Sequence, residues 1–161
     1  MRKIIIDTDP GQDDALAMMT AFGAKKDLNV LGVTCVAGNV PLDLTSVNAL
    51  KICELSGVFS VPVFRGSPAP LKRKLITAEH VHGKTGLDGT DLLVKKKELE
   101  PTDAVDFIIE CTEKYRDEKI TICALGPLTN IAKVLKQYSV LIDSIEAIVL
   151  VGGGFFEGGN I

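Results

Sequence analysis

Four carboxylates crowd into eight residues near the start of the chain: Asp7, Asp9, Asp13 and Asp14, with Thr8, Pro10, Gly11 and Gln12 between them. Carboxylates this close repel one another, and a turn with only a structural role gains little from holding them together. A cation removes the conflict. Calcium takes about six to eight oxygen ligands at roughly 2.3–2.6 Å in flexible geometry, whereas magnesium wants fewer protein ligands and a stricter octahedron. A purely structural alternative exists for part of the cluster, because Asp13 and Asp14 at a helix N-terminus would each stabilise by roughly 0.3–1 kcal/mol. It leaves Asp7, Asp9 and the Pro10-Gly11 bend unexplained, so the run is read as a metal-binding active-site loop.

Other chemistries find less support. His80 and His82 form a His-x-His pair that with a nearby Asp can chelate zinc, a competing metal reading. There is no nucleophile elbow and no Ser-His-Asp set, and Gly152-Gly153-Gly154 lacks the Lys-Ser or Lys-Thr that follows a phosphate-cradling loop. A haloacid-dehalogenase-like phosphatase also begins with strand-Asp-x-Asp, but here Pro10-Gly11 stands where its hydroxyl-bearing turn would be. Cys35, Cys53, Cys111 and Cys123 sit singly among apolar residues, as reduced core side chains do.

The elements that must position the carboxylates follow from periodicity. Lys3 to Ile6 is a β-branched run, and Asp13 to Lys25 carries Ala17, Met18, Ala21 and Phe22 at helical spacing. Leu28 to Val36 predicts a second strand ending at Ala37-Gly38-Asn39, Pro41 opens a helix to Ser56, and Val61 to Phe64 is a brief third strand. From Gly66 to Pro101 the apolar rhythm fails, and Gly83, Gly86, Gly89 and Lys95-Lys96-Lys97 predict an exposed, mobile loop region. Thr102 is expected to cap a helix to about Arg116. Strand Ile120 to Leu125, helix Leu128 to Gln137 and strand Ile145 to Val151 complete the alternation.

Strands alternating with helices predict one α/β domain over residues 1–161, an open and mostly parallel doubly wound (Rossmann-like) sheet with helices on both faces. Asp7 and Asp9, Gly38-Asn39, Leu125-Gly126 and the segment from Gly152 to Asn160 all follow the C-terminal ends of predicted strands. That edge is where such sheets bind ligands.

Composition narrows the partners. With 161 residues, 46% of them hydrophobic, the chain can bury roughly two thirds of its unfolded surface, which excludes disordered and fibrous classes. A net charge of −3 with scattered Lys and Arg gives no footprint for nucleic acid or an anionic membrane. No run has signal-peptide or membrane-spanning character, so a cytoplasmic protein acting on a small neutral or cationic ligand is expected.

The run Asp-Thr-Asp-Pro-Gly-Gln-Asp-Asp-Ala resembles the N-terminal signature of the inosine-uridine preferring nucleoside hydrolase family. Val36-Ala37-Gly38-Asn39, His80-Val81-His82-Gly83, Leu125-Gly126-Pro127-Leu128-Thr129-Asn130 and Gly152-Gly153-Gly154 extend the resemblance along the whole chain. It implies the nucleoside hydrolase fold and hydrolysis of the N-glycosidic bond of ribonucleosides to ribose and free base, with Ca2+ as cofactor. By the same resemblance Asp9 is a calcium ligand and the catalytic general base, and Asp14 and the backbone carbonyl of Leu125 are further ligands. Asp13 binds the ribose 2′-hydroxyl, Asp7 supports the cluster, and Asn39 and Asn160 position water and ribose hydroxyls. His82 lies in the family's loop over the base. A homo-oligomer, dimer or tetramer, is also implied, while base preference stays open.

Members of that family continue beyond Gly158-Gly159-Asn160-Ile161, with another calcium-ligating Asp and a His near the leaving base. The chain is therefore expected to be the N-terminal part of a longer hydrolase, with an incomplete metal shell and low activity, or else a non-catalytic nucleoside or ribose binder.

Overall fold

The isoleucine run becomes the middle of the sheet. In the computed structural model, which describes residues 1–94 and 96–156, β1 (Arg2–Thr8) lies between β2 (Leu28–Cys35) and β4 (Ile120–Ala124) and pairs with both in parallel. β3 (Val63–Arg65) extends the sheet beyond β2, and β5 (Ile145–Leu150) beyond β4, giving the order β3-β2-β1-β4-β5 with every pairing parallel.

Successive side chains of a strand point to opposite faces, so a run buried on both faces reads as continuously apolar. Ile4 and Ile6 accordingly join one core with Met18 and Phe22 of α1 (Gln12–Gly23) and Ala49, Ile52 and Cys53 of α2 (Leu42–Leu55). Ile5 joins the other, with Ile108 of α4 (Ala104–Lys114) and Ile131 and Val134 of α5 (Thr129–Gln137). Ile5 is fully buried, a burial that stabilises by roughly 1.5–3 kcal/mol. Helices thus cover both faces, as the alternation predicted.

Element ends differ by a residue or two from expectation, with two larger departures. Asp103, not Thr102, caps α4, because its side chain accepts the Val105 amide at 2.8 Å. A 3-10 helix, Ser139–Ser144, leads into β5 without a sequence signal. The region from 66 to 101 is irregular but not simply exposed: Ser67, Ala78, Leu87 and Lys97 are buried, and it includes the single-turn α3 (Glu79–His82). All four cysteines are free, three of them buried and Cys123 half-buried. Among the described residues no helix is long and apolar enough to cross a membrane.

Candidate active site

In the order β3-β2-β1-β4-β5 the chain winds outward from β1 to β3, then returns to the other side of β1 for β4. Connections leave β1 and β4 in opposite directions, which opens a crevice at their carboxyl ends. Asp9 follows β1 and Gly126 follows β4, so the acidic run sits at that crevice. A cavity of about 720 Å³ occupies it, lined by Asp9, Asp13, Asp14, Asn39, His82 and the residues after β4 and β5.

Each carboxylate is held differently. Asp14 stands in the first turn of α1, where its Oδ2 accepts the Gly11 amide at 3.2 Å and its Oδ1 the Thr8 hydroxyl at 2.7 Å. It therefore caps the helix and still faces the cavity. Asp9 accepts the Asn39 amide at 2.7 Å through Oδ2, and Asn39 Nδ2 donates back to the Asp9 carbonyl at 2.9 Å and more weakly to Asp14 Oδ2 at 3.4 Å. Asn39 thus ties the two carboxylates together. Asp13, by contrast, is largely exposed at the cavity mouth.

Asp7 is fully buried. Its Oδ1 accepts Thr34 Oγ1 at 2.6 Å and Asn130 Nδ2 at 2.8 Å, while Oδ2 has no hydrogen-bond partner among the described residues. Asn130 also accepts the Ser67 amide at 2.9 Å and donates to the Cys35 carbonyl at 3.0 Å. This one amide joins α5 to the ends of β1 and β2, and sequence reasoning gave it no role.

Electrostatically the cluster is strained. Burial pushes the Asp7 carboxyl up to about 6. Burial, and then the neighbouring Asp14 charge, push Asp9 up to about 7, and burial also raises Asp14. Among the described residues the ion pairs are Lys3–Glu118, Arg65–Asp43 and His82–Asp13, the last at 4.0 Å and charged only when the imidazole is protonated. None reaches Asp7, Asp9 or Asp14.

The donor set fits a hard cation: buried carboxylate oxygens outside every ion pair among the described residues, with the Asp14 charge raising the proton affinity of Asp9. Two glycines leave room for the Asp9 carboxylate itself. A Cβ on Gly38 would lie 2.0 Å from Asp9 Oδ2, and one on Gly126 would lie 2.5 Å from Oδ1. Among the described residues no three His, Cys, Asp or Glu side chains group closely enough to hold a metal by themselves. Asp9 and Asp14 contribute two, so backbone oxygens such as that of Leu125, which lines the cavity, would have to add to them. Gly38→Ala should displace the Asp9 carboxylate, and an added divalent cation should bind the variant about tenfold or more weakly than wild type in a calorimetric titration. Unchanged affinity with a native circular dichroism spectrum would remove Asp9 from the ligand set.

His82 lines the cavity, whereas His80 is exposed on α3, so the two histidines do not form a chelating pair. Asn160 lies outside the described residues. Two further residues bind the acidic turn to the segment bearing His82. Gln12 Oε1 lies 2.8 Å from His82 Nδ1, and Asn48 of α2 donates to the Pro10 carbonyl at 3.1 Å and the Thr85 carbonyl at 2.7 Å. Neither was singled out from sequence, since nothing local to Gln12 or Asn48 indicates a partner 70 or 37 residues away.

The family model for inosine-uridine preferring nucleoside hydrolase matches residues 4–161. An uncharacterized protein of Schizosaccharomyces pombe is 47% identical over 159 residues, covering 99% of this chain and 51% of that protein. The pyrimidine-specific ribonucleoside hydrolase RihB of Escherichia coli is 43% identical over 157 residues, covering 98% of this chain and 49% of RihB. The solved purine-preferring ribonucleoside hydrolase from Gardnerella vaginalis superposes with a TM-score of 0.88 at 33% identity, over 95% of this chain and 49% of that one. The chain spans about half the length of these relatives.

Proposed function

The chain belongs to the inosine-uridine preferring nucleoside hydrolase family, and from that premise we propose that the protein hydrolyses the N-glycosidic bond of ribonucleosides, with calcium held by Asp9, Asp14 and the Leu125 carbonyl. The observation that carries the proposal is the pair of buried carboxylates, Asp9 and Asp14, outside every ion pair among the described residues and beside a nucleoside-sized cavity.

Calcium, when bound, supplies a Lewis-acidic centre that acidifies and orients an attacking water. Asp9 then takes that water's proton. The water oxygen bonds to C1′ as the bond from C1′ to the base nitrogen breaks, and the base leaves with the bonding electron pair and is then protonated. Nearby carboxylates stabilise the positive charge that develops on the sugar, as in glycoside hydrolysis generally. Asp13, exposed at the mouth, binds the 2′-hydroxyl, and Asn39 orients water and ribose hydroxyls while fixing Asp9. An adjoining cavity of about 570 Å³, lined by Leu75, Ile76, Val81 and His82, offers the base an apolar wall.

RihB is named for pyrimidines and the Gardnerella enzyme for purines, so both base classes belong in the assay. Ribose release from cytidine, uridine, inosine and adenosine is expected with calcium and not with chelator. Release that persists in chelator would overturn the calcium assignment, and no release from any of the four would overturn the activity. The same reading takes the protein to be cytoplasmic and a homodimer or homotetramer.

A further inference from the structure

His82 does not approach the site by itself. Its imidazole lies over Gly11, where a Cβ would stand 2.5 Å from Nδ1 and 2.8 Å from Cε1, so only glycine admits the ring there. Gln12, the next residue, grips it twice: Nε2 donates to the His82 carbonyl at 3.4 Å, and Oε1 faces Nδ1 at 2.8 Å. The two contacts constrain one another. An amide whose NH₂ is turned to a carbonyl must present its oxygen to the ring, and an oxygen facing Nδ1 requires that Nδ1 carry the proton. Turning the amide over would set its oxygen against the His82 carbonyl and lose that bond, its NH₂ then donating to a bare Nδ1, so the bond to the carbonyl is what selects the Nδ1–H form.

We infer that Gln12 is a positioning residue that fixes neutral His82 in the Nδ1–H form, leaving Nε2 as a hydrogen-bond acceptor for the nucleoside. The inference rests on the proposed hydrolase reading for its substrate class, but not for the tautomer. An untethered histidine side chain in water favours the opposite form, with the proton on Nε2, so the assignment differs from what such a side chain would show. The other group near Nδ1 is Asp13 Oδ1 at 4.0 Å, beyond hydrogen-bond reach and largely exposed. A neutral His82 held this way accepts a hydrogen bond from a sugar hydroxyl or an exocyclic amine of the base. The same ring in the other form would offer a donor, which a sugar hydroxyl could still accept but an exocyclic amine could not.

Long-range proton–nitrogen NMR correlation on the imidazole-labelled full protein, at a pH above the ordinary imidazole range, reads the tautomer directly. Wild type should show protonated Nδ1 and bare Nε2 for His82. Gln12→Leu, which removes both contacts, should move it to the Nε2–H form, and Gln12→Glu, which keeps an acceptor at Nδ1, should retain the wild-type pattern. With substrate, Gln12→Leu should lower kcat/KM by about tenfold, mostly through KM, and Gln12→Glu should recover most of it. An Nε2–H form in wild type, or no change in Gln12→Leu, overturns the inference. A tautomer that responds as stated in a protein releasing no ribose would refute the hydrolase reading and leave the positioning role standing.

Discussion

Replacing Asp9 by alanine should lower kcat for ribose release by at least about 1,000-fold, because the change removes a proton acceptor and a cation ligand at once. General-base catalysis alone contributes about 100- to 10,000-fold. Asp9→Asn separates the two roles: it keeps the shape and an oxygen able to accept the Asn39 amide, but cannot take a proton at neutral pH. The asparagine variant should therefore bind calcium more tightly than the alanine variant and be nearly as inactive. An asparagine variant that kept more than about a tenth of wild-type kcat would strip Asp9 of its role as base. Misfolding is an unsuitable explanation for the loss, since burial already disfavours the charge on Asp9 and the asparagine should make the metal-free fold more stable.

The same burial makes stability depend on pH in the direction opposite to most acidic residues. Asp7 goes from an ordinary 3.8 to about 6 on folding, and Asp9 to about 7. The folded state then binds more protons than the unfolded chain, so stability is fullest below the unfolded value and is lost as pH rises through the folded one. For Asp7 alone the loss by pH 7 is on the order of 3 kcal/mol, at about 1.4 kcal/mol per pH unit. In chelator, Tm should fall by roughly 10 °C between pH 4.5 and 7.5, and saturating calcium should restore most of it at the upper end. A metal-free Tm that stays level or climbs across this window contradicts the electrostatic account of the cluster.

Much of this was legible in sequence because it is local. The unbroken run Ile4-Ile5-Ile6 can only be a strand buried on both faces, and Pro10-Gly11 followed by two acids can scarcely be anything but a turn into a helix. The site's edge was legible too, since polar and glycine-rich stretches followed each strand. What escaped was the wiring across long separations. Asn130 reaches Asp7, Asn48 reaches Pro10 and Thr85, and Gln12 reaches His82. Such bonds leave no period in the chain, because the amide's partner is chosen by the sheet's winding and not by its neighbours. The capping of α4 was misjudged for a smaller reason. Thr102 and Asp103 are both good caps, and only the backbone decides which one turns extended.

The placement of β1 bears on how the protein comes into being. Of the five strands, the first to be synthesised is the one that ends up flanked on both sides, and its second neighbour, β4, begins more than a hundred residues later. Asn130, which fastens Asp7 from α5, lies 123 residues downstream. Until that stretch has been made, β1 has β2 alone beside it, and Asp7 has no amide to meet. Contacts of such separation form late and slowly. The pocket can thus close only once α5 has been made, long after the acidic residues at its floor.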